Sequence, residues 1–356
     1  FSVIFRPDGS VRVGIHIAAP ALGIQPGSDL DRIAASRLST VYMPGDKITM
    51  LPEALVERYT LAEARICPAL SLYVEVGPDY TLGAFSTQAD TVRIAANLRH
   101  EQLEPLFNEH SIGNPAAPDY AFRRELEWLW GFAGHLEAAR GKADQVQRLD
   151  YLFRIEDERV RIVPRVRGNP IDKLVSELMI LANNRWGRLL AEHDLAGLYR
   201  AQSAGKVRMT VKPAPHEGLG LDCYAWSTSP LRRYVDLVNQ RQILAAIRGD
   251  KPTYAGNDTM LFAIMRDFEL AYDAYAEFQR RMERYWCLRW LAQEGMAEGD
   301  AVLIKENLVR FDGLPLVTRV NGAPLLESGA RMRVAVEAID LLDVELSCRY
   351  LTTLPS

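Results

Sequence analysis

The chain has 356 residues, 48% hydrophobic and 25% charged, a balance typical of a globular protein with about two domains. No run of about 18 apolar residues occurs, so the sequence predicts no membrane span. A formal net charge of −4 argues against indiscriminate nucleic-acid binding through excess positive charge. Four scattered cysteines without zinc-ligand spacing indicate a reduced, cytoplasmic setting. The chain starts at Phe1 rather than Met and shows no signal peptide, which indicates a piece of a longer protein.

The first 100 residues are predicted to form mainly strands and connections. Ser2–Phe5 and Val11–Ile17 are β-branched or alternating runs on either side of Pro7-Asp8-Gly9, which predicts a hairpin. Ala69–Val76 is a further predicted strand, ended by Gly77-Pro78.

Helical periodicity dominates the middle of the chain. Apolar residues recur at three- and four-residue spacing in four segments, which predicts helices over 122–139, 171–195, 231–247 and 259–293. The last of these carries several arginines off its apolar side, among them Arg280, Arg281 and Arg284. Such a face is usually solvated, and RNA contact is the alternative interpretation.

The residue pattern changes after Gly295, from helical periodicity to short strand-like runs. Five short runs punctuated by Gly and Asn predict strands over 300–304, 308–311, 316–320, 331–339 and 343–349. Five strands in about 60 residues suit a small OB-fold barrel. The sequence therefore predicts an α+β domain over 1–295 followed by a five-stranded OB-fold domain over 296–356.

The segment from His216 to Arg241 contains the strongest chemical signal. Ser229-Pro230 predicts a helix start, with Ser229 as N-cap and Arg232 and Arg233 in the first turn. Positive charges there oppose the helix dipole, so helix stability does not explain them, whereas a bound phosphate would. The alternative is that Arg232 pairs with a buried carboxylate, and Asp236 has the spacing to bridge either arginine.

This segment resembles the signature of the ribonuclease II/R (RNB) family of 3′→5′ exoribonucleases, roughly H-x-GLGL-x-x-Y-x-x-x-TSP-[IL]-R-[RK]-Y-x-D-x-x-x-x-R. The matching residues are His216, Gly218, Gly220, Tyr224, Thr228, Ser229, Pro230, Arg232, Tyr234, Asp236 and Arg241. The resemblance implies that Arg232 lies beside the scissile phosphate and is needed for cleavage. It also implies RNA contact for Arg233 and Tyr234.

Shorter stretches extend the resemblance over about residues 1–295. Ile17–Pro20 is similar to the family's I-A-D-P, with Ala19 in place of the aspartate, and Gly27–Asp31 to G-S-x-L-D. Arg37–Pro44 and Met50–Pro52 resemble R-x-x-S/T-x-Y-x-P and M-L-P, and Glu177–Asn183 resembles E-x-M-I-x-A-N. The family commonly ends in an OB-fold domain, as predicted here.

The resemblance implies roles for four more residues. Tyr42 stands where a family tyrosine packs on the terminal nucleotide, and Phe153 where a phenylalanine stacks on bases near the 3′ end; either could instead be core. His100 replaces a frequent tyrosine, and it is either near RNA or a surface-loop residue. Glu277 is the nearest match to a glutamate that helps to position RNA or the reaction, with Glu283 second.

The family hydrolyses RNA with two Mg²⁺ ions about 3.5–4 Å apart, held largely by a D-x-D-D-A motif. Phe1–Val3 resembles the strand that follows this motif, so the aspartates are expected just before Phe1; no D-x-D-D occurs in the chain. The resemblance implies a monomeric, Mg²⁺-dependent enzyme that acts on single-stranded RNA and releases 5′-nucleoside monophosphates. The alternative is an RNA-binding relative without a metal site. A DNA exonuclease is a weaker alternative, because the family selects RNA through its 2′-hydroxyls.

Overall fold

A computed structural model describes residues 1–141 and 148–355. By their internal contacts these residues form two compact units. Unit 1 comprises 1–40, 49–141 and 168–272, and unit 2 comprises 41–48, 148–167 and 273–355. No helix in either described stretch is both long and apolar enough to cross a membrane.

In the described residues, strands and helices are interspersed as far as Gln293, and the last five strands follow without a helix between them. The strands are β1 (Ser2–Phe5), β2 (Val11–Ala18), β3 (Val41–Met43), β4 (Asp46–Ile48), β5 (Ile66–Val76), β6 (Leu82–Arg93), β7 (Arg148–Glu156), β8 (Arg159–Arg167), β9 (Tyr199–Ser203), β10 (Lys206–Thr210), β11 (Glu298–Lys305), β12 (Leu308–Phe311), β13 (Val317–Asn321), β14 (Arg331–Asp340) and β15 (Glu345–Thr353). The α-helices are α1 (Asp29–Arg37), α2 (Glu53–Tyr59), α3 (His100–Leu103), α4 (Arg123–Ala139), α5 (Pro170–Glu192), α6 (Tyr234–Arg248) and α7 (Thr259–Gln293).

The main sheet of unit 1 is antiparallel, in the order β1-β2-β5-β6. Strand β2 is almost continuously buried because it lies inside the sheet, with helices packed beyond it, and its β-branched side chains fill that environment. The core joins the sheet to α4 and α5 through residues such as Val13, Ile15, Leu72, Phe132 and Trp186. The amphipathic stripes of α4 and α5 supply the helical side of this core.

A second core in unit 1 surrounds α6, whose residues 234–245 are all buried. Three amides on this helix bind backbone groups of other segments. Asn239 binds Leu198 and Trp226, Gln240 binds Ala18 and Ala21, and Gln242 binds Ala196 and Tyr254. Buried amides are stable only when their donors and acceptors are satisfied, so α6 fixes the loops around it in defined positions.

Unit 2 contains a closed five-stranded barrel in the order β11-β12-β13-β15-β14, with β11 also paired to β14. Only β13 and β15 run parallel. This is the OB-fold arrangement, and both the barrel and the α+β class are confirmed. Apolar residues of the barrel and of the end of α7 form its core, and Phe153 and Ile162 from the β7–β8 hairpin pack against it.

Most predicted elements are present. The first hairpin is confirmed by β1 and β2, and α7 spans the predicted residues. The first 100 residues are mainly strands and connections, as predicted, but the helices α1 and α2 also lie among them and were not predicted. Helix α1 begins after Ser28, whose hydroxyl accepts a hydrogen bond from the Asp31 amide at 3.3 Å. The boundary at residue 296 stays a prediction.

The predicted start of α6 was also wrong. The helix begins at Tyr234, and Arg233 is its extended N-cap rather than a first-turn residue. Residues 230–232 form a turn instead, in which the amides of Arg232 and Arg233 both donate to the Ser229 carbonyl at 3.0 Å. Ser229-Pro230 therefore opens a tight turn before the helix rather than the helix itself.

Candidate functional site

Arg232 lies at the end of this turn with an exposed side chain. Its carbonyl accepts hydrogen bonds from the Thr40 amide at 2.9 Å and the Ser39 hydroxyl at 3.1 Å, which ties the turn to a distant segment of unit 1. Its guanidinium makes no hydrogen bond or ion pair with any residue that the structure describes. The alternative that Arg232 pairs with a buried carboxylate was therefore wrong for this part of the chain. The hydrogen-bonded backbone of the turn thus holds an exposed guanidinium that none of the described side chains binds.

Arg233 points into the protein and binds Asp236. Two bonds of 2.7 and 2.8 Å form a bidentate pair, and the guanidinium carbon lies 3.9 Å from the ring centre of Trp226. The Asp236 carboxylate also accepts the Ser229 amide at 2.7 Å. Asp236 thus neutralises Arg233 and closes the turn, which leaves Arg232 as the arginine that faces solvent.

Tyr234 and the last arginine of the motif meet at one carboxylate. Asp31 Oδ1 accepts from the Tyr234 hydroxyl at 2.9 Å and from Arg241 at 2.7 Å, while its Oδ2 accepts the Gly27 amide at 2.7 Å. All three side chains are buried. The G-S-x-L-D stretch and the arginine motif are therefore held together around Asp31.

Asn183 connects the E-x-M-I-x-A-N stretch to the same turn. Its carbonyl accepts the Ser227 amide at 2.9 Å, and its amino group donates to the hydroxyls of Tyr224 at 3.1 Å and Thr228 at 3.3 Å. The side chain thus satisfies three polar groups in the five residues that precede Ser229. It therefore holds the segment that leads into the Arg232 turn.

Glu177 organises the glycine-rich part of the motif through Arg140. The two side chains form a largely buried ion pair, and Arg140 also donates to the Leu219 carbonyl at 2.7 Å. Burial raises the pKa of the Glu177 carboxyl, and the charge of Arg140 opposes that rise. This network fixes Gly218–Gly220 relative to α5.

Arg200 was missed by the sequence analysis. It lies on β9, its amide donates to the Tyr224 carbonyl at 2.8 Å, and its guanidinium lies 4.1 Å from the ring centre of Trp226. Burial lowers the pKa of Arg200, and the nearby charge of Arg233 lowers it further. No carboxylate in the described residues forms an ion pair with it. Burial lowers the pKa of His216, and the positive charge of Arg200 lowers it further. Arg200, Arg233 and Trp226 form the Trp226 cluster, in which two guanidinium groups lie on one ring and Asp236 pairs with Arg233.

The other predicted site residues lie outside this cluster of contacts. His100 begins α3, with its Nδ1 3.3 Å from Glu104 and 3.9 Å from Asp172, so it is not a loop residue.

In unit 2, Tyr42 on β3 is 44% exposed. Phe153 on β7 packs partly against the barrel core, and Glu277 is exposed and paired with Arg280 at 2.6 Å. The RNA-binding and catalytic roles of all these residues stay predictions.

The described residues contain no cluster of side chains that could bind a metal ion. Within 1–141 and 148–355, no three His, Cys, Asp or Glu side chains lie close enough to hold one ion. These residues therefore do not fit a two-Mg²⁺ centre, and none of them replaces the aspartates expected before Phe1.

An α+β unit of this kind with a five-stranded OB-fold barrel defines the fold class of the RNB exoribonucleases. The family model of the RNB domain matches residues 1–210 and 203–249, and the chain belongs to that family. It is 27% identical over 346 residues to the "uncharacterized ribonuclease sll1290" of Synechocystis, covering 89% of this chain and 50% of that protein. It is 26% identical over 314 residues to exoribonuclease 2 of Vibrio vulnificus, covering 71% and 47%. The chain spans about half the length of these curated relatives.

Solved structures share the fold at low sequence identity. RNase R of Mycoplasma genitalium, in complex with ribose-methylated single-stranded RNA, matches with a TM-score of 0.82 at 15% identity, covering 98% of this chain and 68% of that chain. Yeast Ssd1, described as a pseudonuclease, matches with a TM-score of 0.70 at 16% identity, covering 95% and 50%. A ribonuclease and a protein described as a pseudonuclease therefore share this fold.

Proposed function

We propose that this chain is the catalytic part of a 3′→5′ exoribonuclease that hydrolyses single-stranded RNA to 5′-nucleoside monophosphates. The observation that carries the proposal is the Arg232 guanidinium, which is exposed and has no polar partner within residues 1–141 and 148–355, on a turn fixed at both ends. A preorganised donor can stabilise charge that develops on a phosphate during hydrolysis, because it needs no rearrangement when the charge appears. Membership of the RNB family supports the substrate class.

The remaining residues have supporting roles in this proposal. Arg200 supplies a further cation beside Trp226, and Arg233, Tyr234 and Asp236 hold the turn. Tyr42 and Phe153 stack on bases near the 3′ end, where each stacked base contributes roughly 1–3 kcal/mol. His100 contacts RNA, and Glu277 helps to position it. The protein acts in the cytoplasm as a monomer.

Mg²⁺ is the proposed metal, since RNB exoribonucleases are generally dependent on divalent metals. The described side chains do not supply its site, so no step is derived through it. The protein's own contribution is the binding and orientation of the phosphodiester by Arg232, with Arg200 as a further cation.

The test uses the protein at its full natural length. We would incubate 5′-labelled single-stranded poly(A) with Mg²⁺, with and without EDTA, and separate the products on a gel. A ladder that shortens from the 3′ end and is abolished by EDTA supports the proposal. Internal cuts, or degradation of DNA at the same rate, would contradict it.

A second candidate is an RNA-binding relative without activity. The fold match to yeast Ssd1, described as a pseudonuclease, is the observation that favours it. In the same experiment this candidate leaves poly(A) intact, while a gel-shift measurement still detects bound RNA.

A further inference from the structure

Strand β6 is an open edge of the main sheet in unit 1. It pairs with β5 on one side, and no other described segment hydrogen-bonds its backbone. Just after β6, the Ile94 amide donates to the Arg65 carbonyl and the Ile94 carbonyl accepts the Ala64 amide, both at 2.9 Å. Ile94 therefore faces the β5 side, and successive residues of an antiparallel strand alternate in this direction. The amides and carbonyls that point away from β5 are those of Phe85, Thr87, Ala89 and Thr91.

This edge lacks the features that usually prevent a strand from pairing with another chain. Residues 85–93 contain no proline or lysine, and their pairing with β5 is regular. At 12 residues β6 is also long for a strand. The exposed side chains in its middle are Ser86, Gln88, Ala89 and Thr91, none of them bulky. An open and unprotected edge of this length can accept a further strand.

Arg185 on α5 lies against this strand without a partner among the described residues. Its guanidinium carbon is 3.9 Å from the ring centre of Phe85, and its buried Nε has no hydrogen-bond partner. The Asp222 carboxylate nearby is bound by Arg188 at 2.9 Å. Burial lowers the pKa of Arg185, and the positive charge of Arg188 lowers it further. A half-buried cation at the sheet edge therefore lacks a counter-ion.

Arg185 lies on the face of the sheet that an added strand would share. Trp186, its neighbour on α5, donates to the Thr87 hydroxyl at 3.2 Å, so Phe85 and Thr87 both face α5. In an antiparallel pair, residues directly opposite each other point to the same face, with Cβ atoms about 4.5–5.5 Å apart. A strand beside β6 would therefore direct every second side chain to the face on which Arg185 lies.

We propose that the β6 edge is a docking site for an extended acidic segment of a partner protein. The segment adds an antiparallel strand beside residues 85–91 and places a glutamate or aspartate against Arg185. Backbone hydrogen bonds along the edge supply affinity, and the carboxylate pairs with Arg185 and selects the sequence. A neutral or basic strand would satisfy the backbone groups but leave the cation unpaired. This docking site is separate from the chemistry proposed at Arg232, and neither requires the other.

The probe is a fluorescent peptide of about eight residues that alternates valine and glutamate, the length of an ordinary strand. Its binding to the protein at full natural length is measured by anisotropy. When its glutamate side chains face Arg185, the glutamate amides face β6 and the valine amides face solvent. N-methylation of the glutamate amides should therefore weaken binding more than tenfold, while N-methylation of the valine amides should change it less than about twofold. A peptide of alternating valine and glutamine should bind roughly tenfold more weakly.

Variants of the protein test the same contacts from the other side. R185Q should weaken binding of the valine–glutamate peptide roughly tenfold, because the carboxylate loses its partner. The matched control is R188Q on the same helix, which removes an exposed arginine already paired with Asp222 and should change binding less than about twofold. A89P removes one outward amide at an edge position where proline is tolerated, and it should weaken binding roughly tenfold. A89V keeps this amide and should bind as the unaltered protein does.

Equal losses for R185Q and R188Q would mean that the peptide responds only to general charge, and would overturn the proposal. Equal binding of the two N-methylated peptides would show that no strand is added; this comparison holds even if A89P unfolds, because the protein is unaltered. A peptide that does not bind at about 1 mM would also overturn the proposal. If the protein then forms a dimer that A89P abolishes in sedimentation velocity, the edge pairs with a second copy of the chain instead.

Discussion

Arg241 donates a hydrogen bond of 2.7 Å to Asp31, and both side chains are buried although they lie 210 positions apart in the chain. Asp31 also accepts from Tyr234, and Arg241 binds the Ile24 carbonyl and the Tyr254 hydroxyl. A buried charge pair with this many bonds holds its segments in one arrangement. The helix that follows the Arg232 turn is thereby fixed to the start of the chain.

Replacement of Asp31 by alanine should be strongly destabilising. It leaves the Arg241 charge buried without its partner, which costs about 3–5 kcal/mol of unfolding free energy. Chemical denaturation of D31A and the unaltered chain measures the difference. The control is D29N on the same helix, where an exposed pair with Arg32 contributes at most about 1 kcal/mol. Equal losses in D31A and D29N would show that the buried pair does not organise the fold.

The sequence predicted those parts of the fold that depend on local pattern. Alternation and turn residues were sufficient for β1, β2 and the five barrel strands, and helical periodicity was sufficient for α7. Helix α1 was missed although Ser28 followed by Asp31 is a recognisable N-terminal capping pattern. These two residues could therefore have predicted the start of α1 from the sequence.

Tertiary partners explain the remaining differences. The start of α6 was wrong because Asp236 binds Arg233 and the Ser229 amide together, and this favours a turn where the local sequence favours a helix. Arg200 was missed because its place beside Trp226 follows from the pairing of β9 with the segment at Tyr224, which no spacing in the sequence reveals. The motif identified the residues of the turn. The residues that bind them could be identified only from the folded structure.

Asn183 offers a test of how the turn is held. N183A removes the partner of the Ser227 amide, and a buried unsatisfied group costs about 1–3 kcal/mol. The looser segment should also lower the turnover of RNA more than its affinity, because Arg232 loses its fixed position. Denaturation and single-turnover kinetics measure the two effects.

The neighbouring variant N184A is the matched control for N183A. Asn184 is also buried, but it binds Asp222 and the Cys223 carbonyl rather than the residues before Ser229. We expect a similar loss of stability with a smaller loss of turnover. If both variants lose turnover equally, Asn183 has no special role in positioning the turn.

His16 should make stability depend on pH. Burial, and after it the positive charge of the Phe1 amino group, lowers the pKa of this imidazole to about 4. Its two nitrogens lie 2.8 and 2.9 Å from the Ser71 and Ser2 hydroxyls. The unfolded chain binds the proton near pH 6.5 and the folded chain only near pH 4. The stability that neutral His16 contributes is therefore present above pH 6.5 and lost as the pH falls toward 4, by up to about 3 kcal/mol.

Urea denaturation between pH 7 and pH 4.5 measures this loss. The control is H16Q, which keeps polar atoms near both serines but cannot be protonated in this range. The gap in unfolding free energy between H16Q and the unaltered chain should narrow as the pH falls. A gap that stays constant would assign the acid sensitivity to other groups.

Arg232 gives the sharpest test of the proposed chemistry. Its guanidinium has no partner among the described residues, so R232A disturbs no internal contact and the protein should unfold at the same temperature. Loss of one donor to a charge that develops in the transition state lowers turnover by roughly 10²–10³-fold. Affinity for single-stranded RNA should stay within about tenfold, because one phosphate contact among several is removed. R232K keeps the charge but not the planar fork, so it should recover only part of the rate. A large loss of affinity with a normal rate on saturating RNA would make Arg232 a binding residue and leave the charge-stabilising role without support.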